Sequence, residues 1–449
     1  MTIVYSARWV LPVSIPPIPH GAVAVHNGLI TAVGPEETVR ESVAKDGPYQ
    51  TVNLGETALT PGFVNVHSHL ELTALRGLLD ELPFYPWITK LVELKRERLR
   101  ASDFQIAARW GVIEAIRAGI TTLADTGDSG SAMDAMVTGG VRGIVYQEVF
   151  GLEMLKAKRS LSDLKRRIQT LRRHETSLVK VGISPHAPYT VSKLLFQLTT
   201  EFAEQDKLPM CIHAAESQAE EDFMRQGLGP IGDSYRRRDI QWSPPGVSTI
   251  RYLADLNVLR VKPLLVHCVR ATEEDIGLLS LWDARVAHCP KSNAKFGHGI
   301  APALRMRRRG IPVGLGTDSV ASNNVCDLLD EARFTGLLHR ASMGDDSVLP
   351  ASDLLEWMTL GGATALGLEN RIGTLDVGKD ADITAISLSG AHTQPVHDPA
   401  VALLASASGR DVIMTMVRGK VLFDGQNVLT FDENRLRNQL QETTNRLTS

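Results

Sequence analysis

FVNVHSH, residues 63–69, and PVGLGTDS, residues 312–319, bracket the part of the chain that decides its fold. Each is a short, nearly continuous apolar run ending in ionisable residues. Six more runs of this kind lie between them: ITTLADT (120–126), VRGIVYQEVF (141–150), VKVGISPHAP (179–188), LPMCIHAAE (208–216), PLLVHCV (263–269) and ARVAHCP (284–290). Parallel strands buried on both faces read this way, because neither face alternates with solvent. The stretches between them, such as FQIAARWGVIEAIRAG (104–119), space their apolar residues with a helical period. Eight strands, each followed by a helix, predict an α/β chain of the (β/α)8 TIM-barrel type.

Outside this core the pattern is all β. IVYSARWVLPV (3–13) precedes GAVAVHNGLITAVGP (21–35), which is split by the hairpin signal Asn27-Gly28. Near the other end come ADITAISL (381–388) and VIMTMVRGKVLFDG (412–425), the latter split at Gly419. Isolated hairpins are marginal in water, so the two terminal segments are expected to join in one small β-sandwich. The expected domains are residues 1–58 (β-sandwich, N-terminal part), 59–371 (barrel) and 372–449 (the rest of the sandwich and a tail).

Hydrophobic residues make up 43% of the chain and charged residues 22%, with a formal net charge of -3, so there is no basic field to attract phosphate backbones or anionic lipid. A small-molecule substrate is expected, with neither nucleic acid nor membrane as partner. Oligomeric state, including a homo-oligomer, is not encoded in any pattern read here. The start does not read as a secretory signal, and none is expected; Cys211, Cys268, Cys289 and Cys326 are scattered without CxxC pairing. Buried, reduced thiols and a cytoplasmic location are expected.

The ionisable residues fall at the strand ends, the rim where barrel enzymes build their sites. His67 and His69 are two apart on a strand, so both imidazoles point to one face. His213 adds a third nitrogen and Asp318 a carboxylate. Such a set suits Zn, or Fe(II), better than Ca or Mg. One divalent ion of this kind would bring the pKa of a bound water towards neutrality and make a hydroxide nucleophile. Asp318 can take the water's proton, and His267 can polarise the same water. Glu216, three residues past His213, is the expected proton shuttle, a carboxyl of raised pKa serving first a ring nitrogen and then the leaving amine. The plainer reading of Glu216 is a cap for the acidic helix that follows.

With these residues in place, the chain resembles the metal-dependent amidohydrolase superfamily, and within it the nucleoside and base deaminases. PGFVNVHSH, GISPHAPYT, HAAES, LLVHC, HCPKSN and GLGTDS occur in the family's order, and IGTLDVGKDADI (372–383) resembles its return to the small β domain. The resemblance implies a mononuclear metal site, with His186 as a substrate-binding residue. Related adenosine-type deaminases hold ribose hydroxyls with a glutamate that follows a tryptophan, here Trp87, on the helix after the first strand. Ungapped alignment puts Arg96 at that position with Glu97 beside it, so Trp87 and Glu97 are the expected contacts there. His298, in the loop after the seventh strand, is a further candidate contact. LELTALRG (70–77) and the long segment after His213 are more similar to aminodeoxyfutalosine deaminases.

The expected activity is hydrolytic release of ammonia from an aminated heteroaromatic ring: aminodeoxyfutalosine, methylthioadenosine, S-adenosylhomocysteine or adenosine. Rival readings are a triazine chloro- or aminohydrolase, a guanine or cytosine deaminase, an amidase, and a non-catalytic scaffold. No HExxH is present, nor the HxE with PCxxC of the cytidine-type zinc deaminases.

Overall fold

The computed structural model describes residues 1–343 and 348–448; residues 344–347, inside the expected central domain, and Ser449 lie outside the described residues. The chain opens with strands β1 (Thr2–Val10), β2 (Ile18–His26), β3 (Leu29–Pro35), β4 (Tyr49–Asn53) and β5 (Thr57–Pro61). Eight strands follow, alternating with helices: β6 (Phe63–Ser68), β7 (Ile120–Gly127), β8 (Arg142–Val149), β9 (Val179–Pro185), β10 (Cys211–Ala214), β11 (Leu264–His267), β12 (Arg285–His288) and β13 (Val313–Leu315). The chain closes with β14 (Ile383–Ser387), β15 (Val412–Val417) and β16 (Lys420–Phe423).

Strands from the two ends share one sheet, as expected, but it is a single eight-stranded mixed sheet, ordered β16-β15-β14-β5-β1-β2-β3 with β4 beside β1. The sheet rolls over so that its distant strands come together, Leu29 bridging to Asp380. Asn27 and Gly28 (φ 50° and 80°) turn β2 into β3, and Arg418 and Gly419 (φ 47° and 76°) turn β15 into β16. Positive φ at both central residues suits the twist of a tight hairpin. These turns come from distant places in the sheet order, yet they meet: Ala381 donates its N–H to the Gly28 carbonyl and accepts from Gly419 N–H, both at 2.9 Å. Tyr5, Val23, Met414 and Met416 share a core inside the roll. The helix Glu36–Ala44 seals the outer face with Val39 and Val43.

β5 pairs with β14 (Pro61 with Ile383), so the expected boundary at residue 58 falls inside a strand of the sheet. The C-terminal segment is also more than sheet. Its helix Pro399–Ala405 buries Leu403 and Leu404 in the main core, and Leu440 and Leu447 of the helix Glu433–Thr448 pack with Leu72 and Leu91.

All eight central strand segments form where the apolar runs placed them. They stand as two four-stranded parallel sheets, β6-β7-β8-β9 and β10-β11-β12-β13. Parallel bridges tie their edges on both sides, Ile183 to Met210 and Ser68 to Asp318. The carboxyl ends thus face one rim. At the opposite end, buried Arg142 of β8 donates to Asp382 (Nε, 2.8 Å) and Asp380 (2.9 Å), binding the parallel strands to the rolled sheet. Among the described residues no helix is long and apolar enough to cross a membrane. All four cysteines are free and buried.

Candidate active site

His67, His69 and His213 arrive at the rim from the ends of β6 and β10, and their ligand atoms lie within 4.8 Å of one another. Ring centroids are 4.8 Å apart for His67 and His69, and 5.0 Å for His67 and His213. Asp318, just past β13, places Oδ1 3.3 Å from His67 Nε2 and 3.5 Å from His69 Nε2. His67 Nε2 is buried and, apart from the facing Asp318 Oδ1, has no hydrogen-bond partner among the described residues, a costly state for a polar atom unless something more binds it.

The outer nitrogens are tied down. His67 Nδ1 lies 3.3 Å from Thr126 Oγ1, and His213 Nδ1 lies 3.1 Å from the His186 carbonyl oxygen. Such bonds orient an imidazole and leave its other nitrogen directed inward. Burial, the largest influence, lowers His67 and His213 to about 4 and His69 to about 3, so all three are neutral, the form a metal ligand requires. Burial alone would raise Asp318, but the hydrogen bond and charge of His67 outweigh it and hold the carboxyl well below its usual range. Asp318 Oδ2 accepts from Ser292 Oγ at 2.6 Å and Ser322 Oγ at 2.9 Å, which leaves Oδ1 for the cavity side. Three neutral imidazoles and an ionised carboxylate converging in this way fit a divalent cation.

Several of these residues are held in an uncommon backbone conformation. Asp318 (φ 56°), His267 (φ 74°), Cys268 (φ 48°) and Ala215 (φ 53°) all sit in the left-handed region. Strain of this kind is sustained only where the surroundings over-determine it, and it gathers at working sites.

Glu216 is buried, with Oε1 3.7 Å from His267 Nε2 and 3.5 Å from His298 Nε2. It does not cap the next helix; Ser217 does, accepting from Glu220 N–H. Glu220 instead turns back, taking the N–H groups of Ala215 (2.9 Å) and Glu216 (2.8 Å), and so fixes the backbone that carries Glu216. His267 is braced by Asn293, with Nδ1 to Oδ1 at 2.9 Å. The expected raised pKa of Glu216 is corrected. Burial pushes it up, but the charge of His267 and the hydrogen bond from His298 outweigh that and hold it below the ordinary glutamate value.

These groups open into a cavity of about 230 Å³. Its lining is apolar at Phe84, Trp87, Leu91 and Phe296 and polar at Lys95, Glu148 and His186. His186, Trp87 and His298 thus come to the site as expected, His298 through Glu216. Glu97 does not. It pairs with Arg96 on the outer face of the helix Phe84–Glu97, and its side chain is 49% exposed, so the expected contact at Glu97 is corrected. Lys95, two residues earlier, faces the cavity. Sequence reading missed Lys95, Glu148, Glu220, Ser292 and Asn293. HCPKSN held a signal for the last two; nothing local marked the others.

The sequence model of the amidohydrolase family matches residues 58–422. A protein named 5-methylthioadenosine/S-adenosylhomocysteine deaminase from Desulforudis audaxviator (strain MP104C) is 32% identical over 428 residues, covering 95% of each chain. One of the same name from Nitratidesulfovibrio vulgaris (strain DSM 19637 / Miyazaki F) is 34% identical over 426 residues, covering 94% of this chain and 92% of that one. An adenosine deaminase from Xanthomonas campestris, solved with bound zinc, superposes with a TM-score of 0.88 at 27% identity, covering 99% of this chain and 98% of that one.

Proposed function

Because this chain belongs to the amidohydrolase family, and is a hydrolase of carbon–nitrogen bonds in cyclic amidines like its deaminase relatives, we propose that it deaminates an adenine nucleoside using one zinc ion held by His67, His69, His213 and Asp318. The observation that carries this reading is Glu216: an ionised carboxylate set between His267 and His298, beside the three imidazoles, at the mouth of a ring-sized apolar cavity. Family membership and the two edge bridges support reading the two parallel sheets as one closed (β/α)8 barrel. The rolled sheet then forms a second domain, residues 1–61 with the strands after 372. Four buried free thiols support a reducing, cytoplasmic setting.

When bound, the ion supplies Lewis acidity that makes water nucleophilic at neutral pH. Asp318 and His267 orient that water and accept its proton through hydrogen bonding at the rim. As the water oxygen adds to the amino-bearing ring carbon, the proton that Asp318 and His267 took from it passes to Glu216, which delivers it to the adjacent ring nitrogen. The proton on the added oxygen then passes through the same carboxylate to the amine; the carbon–nitrogen bond breaks, ammonia leaves, and a ring carbonyl remains. Glu216 begins ionised, which suits a group that must take a proton before giving one. His186 and the Trp87 wall hold the ring in place.

The test is ammonia release by the zinc-loaded protein from adenosine, methylthioadenosine, S-adenosylhomocysteine, aminodeoxyfutalosine, guanine, cytosine and aminotriazines. Release from an adenine nucleoside is expected. Release only from a triazine or a free base would replace the substrate assignment, and silence throughout with metal bound would overturn deamination.

A further inference from the structure

The cavity's polar side carries a carboxyl that the reaction above does not use. Glu148 ends β8, is only 6% exposed, and lines the cavity. Its Oε1 has no hydrogen-bond partner, and His186 Nε2, on an imidazole that burial keeps neutral, lies 4.0 Å away. Leaving a buried carboxylate unsatisfied costs on the order of 1–3 kcal/mol or more, so such an oxygen is expected to find its partner in whatever fills the site.

That partner is not Lys95. Its ammonium is already committed to Glu71 Oε1 (2.7 Å) and Asp128 Oδ1 (2.8 Å), and Glu71 also accepts from Ser129 N–H at 3.1 Å. Lys95 therefore hydrogen-bonds two other acids and acts on Glu148 only through its charge. An unpartnered carboxyl oxygen in the cavity disfavours an anionic substituent and favours one that donates hydrogen bonds. Meanwhile the helix Phe84–Glu97 brings no carboxylate to the cavity, since Glu97 points outward.

We propose that Glu148 is the specificity-determining carboxylate of this site, accepting hydrogen bonds from the vicinal hydroxyls of the sugar carried by the ring. The assignment rests on the nucleoside reading above. It moves the recognition of hydroxyls from the helix after the first parallel strand to the end of the third. Glu148 stands close to one metal ligand, since its carboxyl, His186 and His213 offer polar atoms within 4.8 Å of one another, so the sugar would be read beside the metal site.

Binding of purine riboside, which has no amino group to lose, and of its 2′,3′-dideoxy counterpart separates recognition from chemistry. Titration calorimetry of the zinc-loaded protein is expected to show at least a tenfold preference for the riboside in the wild type. Glu148→Gln, nearly isosteric, should bring that ratio close to one with zinc content and melting temperature unchanged, and Glu148→Asp should keep part of the preference. An unchanged ratio in Glu148→Gln, or no preference in the wild type, overturns the proposal. So does retention of two zinc ions per chain by the wild type and one by Glu148→Gln, which would make Glu148 a ligand with His186 and His213. A riboside preference that depends on Glu148, without ammonia from any adenine nucleoside, would sink the deaminase reading while leaving this assignment standing.

Discussion

Asp318 is bonded to His67 twice over: its backbone N–H donates to the His67 carbonyl oxygen at 3.0 Å, and its Oδ1 lies 3.3 Å from His67 Nε2. The backbone contact lies at one of the two bridges between the edges of the parallel sheets, so the same junction that joins those edges sets Asp318 beside His67. Removing either side chain, by His67→Ala or Asp318→Ala, should abolish bound zinc and lower turnover by a hundredfold or more, about the scale of losing an activated nucleophile. Metal analysis decides this, and a His67→Ala protein with full metal content would refute the ligand assignment.

Glu216→Gln should retain metal while losing deamination by about a hundredfold or more, because the amide can neither accept nor carry the proton. Zinc content and ammonia release, measured on the same preparation, check it. Near-normal rates would remove Glu216 from the chemistry.

His298 holds Glu216 below its ordinary value, and an ionised Glu216 is the form that works. Activity should therefore persist as pH falls through the usual glutamate range and be lost only below it. In His298→Asn the acid limb of kcat/KM should move up, because one of the groups favouring the ionised carboxylate is gone. An unmoved limb would mean that another group titrates there.

Gly316 lies against the strand of His67: a Cβ there would sit 2.9 Å from His67 Cβ and 3.0 Å from Cys289 Sγ. Gly316→Ala should cost about 1–3 kcal/mol, the scale of overpacking a dense core, and weaken zinc binding by displacing His67. Thermal unfolding with and without zinc separates the two effects.

The metal-free protein should lose stability as pH falls from 6.5 towards about 4. His67 and His213 stay neutral in the fold down to about 4, whereas the unfolded chain takes up protons at the ordinary histidine value. Stability from these groups is present above that ordinary value and declines below it. Calorimetry of the apoprotein across this window would show the decline, and saturating zinc should raise the melting temperature at pH 7. A flat profile without metal would mean the imidazoles are more exposed than their burial indicates.

Much of this was legible in the sequence, for physical reasons. A strand alternates with period two, so His67 and His69 could be assigned to one face without knowing anything else, and the apolar runs located every parallel strand. Helices are less forgiving. A shift of two residues carries a side chain about half a turn round to the other face, and so Glu97 was expected where Lys95 stands. Glu148 and Glu220 escaped notice because a buried carboxyl is recognisable only by what surrounds it, and their surroundings come from far along the chain. The β-rich ends announced a sheet, but not that it would be one rolled sheet, since curvature follows from pairings between strands that sequence spacing does not specify.

The pairing of β5 with β14 joins residues as far apart as Thr60 and Thr384, 324 positions along the chain. During synthesis every proposed metal ligand, from His67 to Asp318, leaves the ribosome before the strand that completes the rolled sheet. Local βα units can collapse early, while this long-range closure has to wait. The proposed ligands are therefore all made while the N-terminal strands still expose an unpaired edge, and β14, made after them, is the strand that hides it.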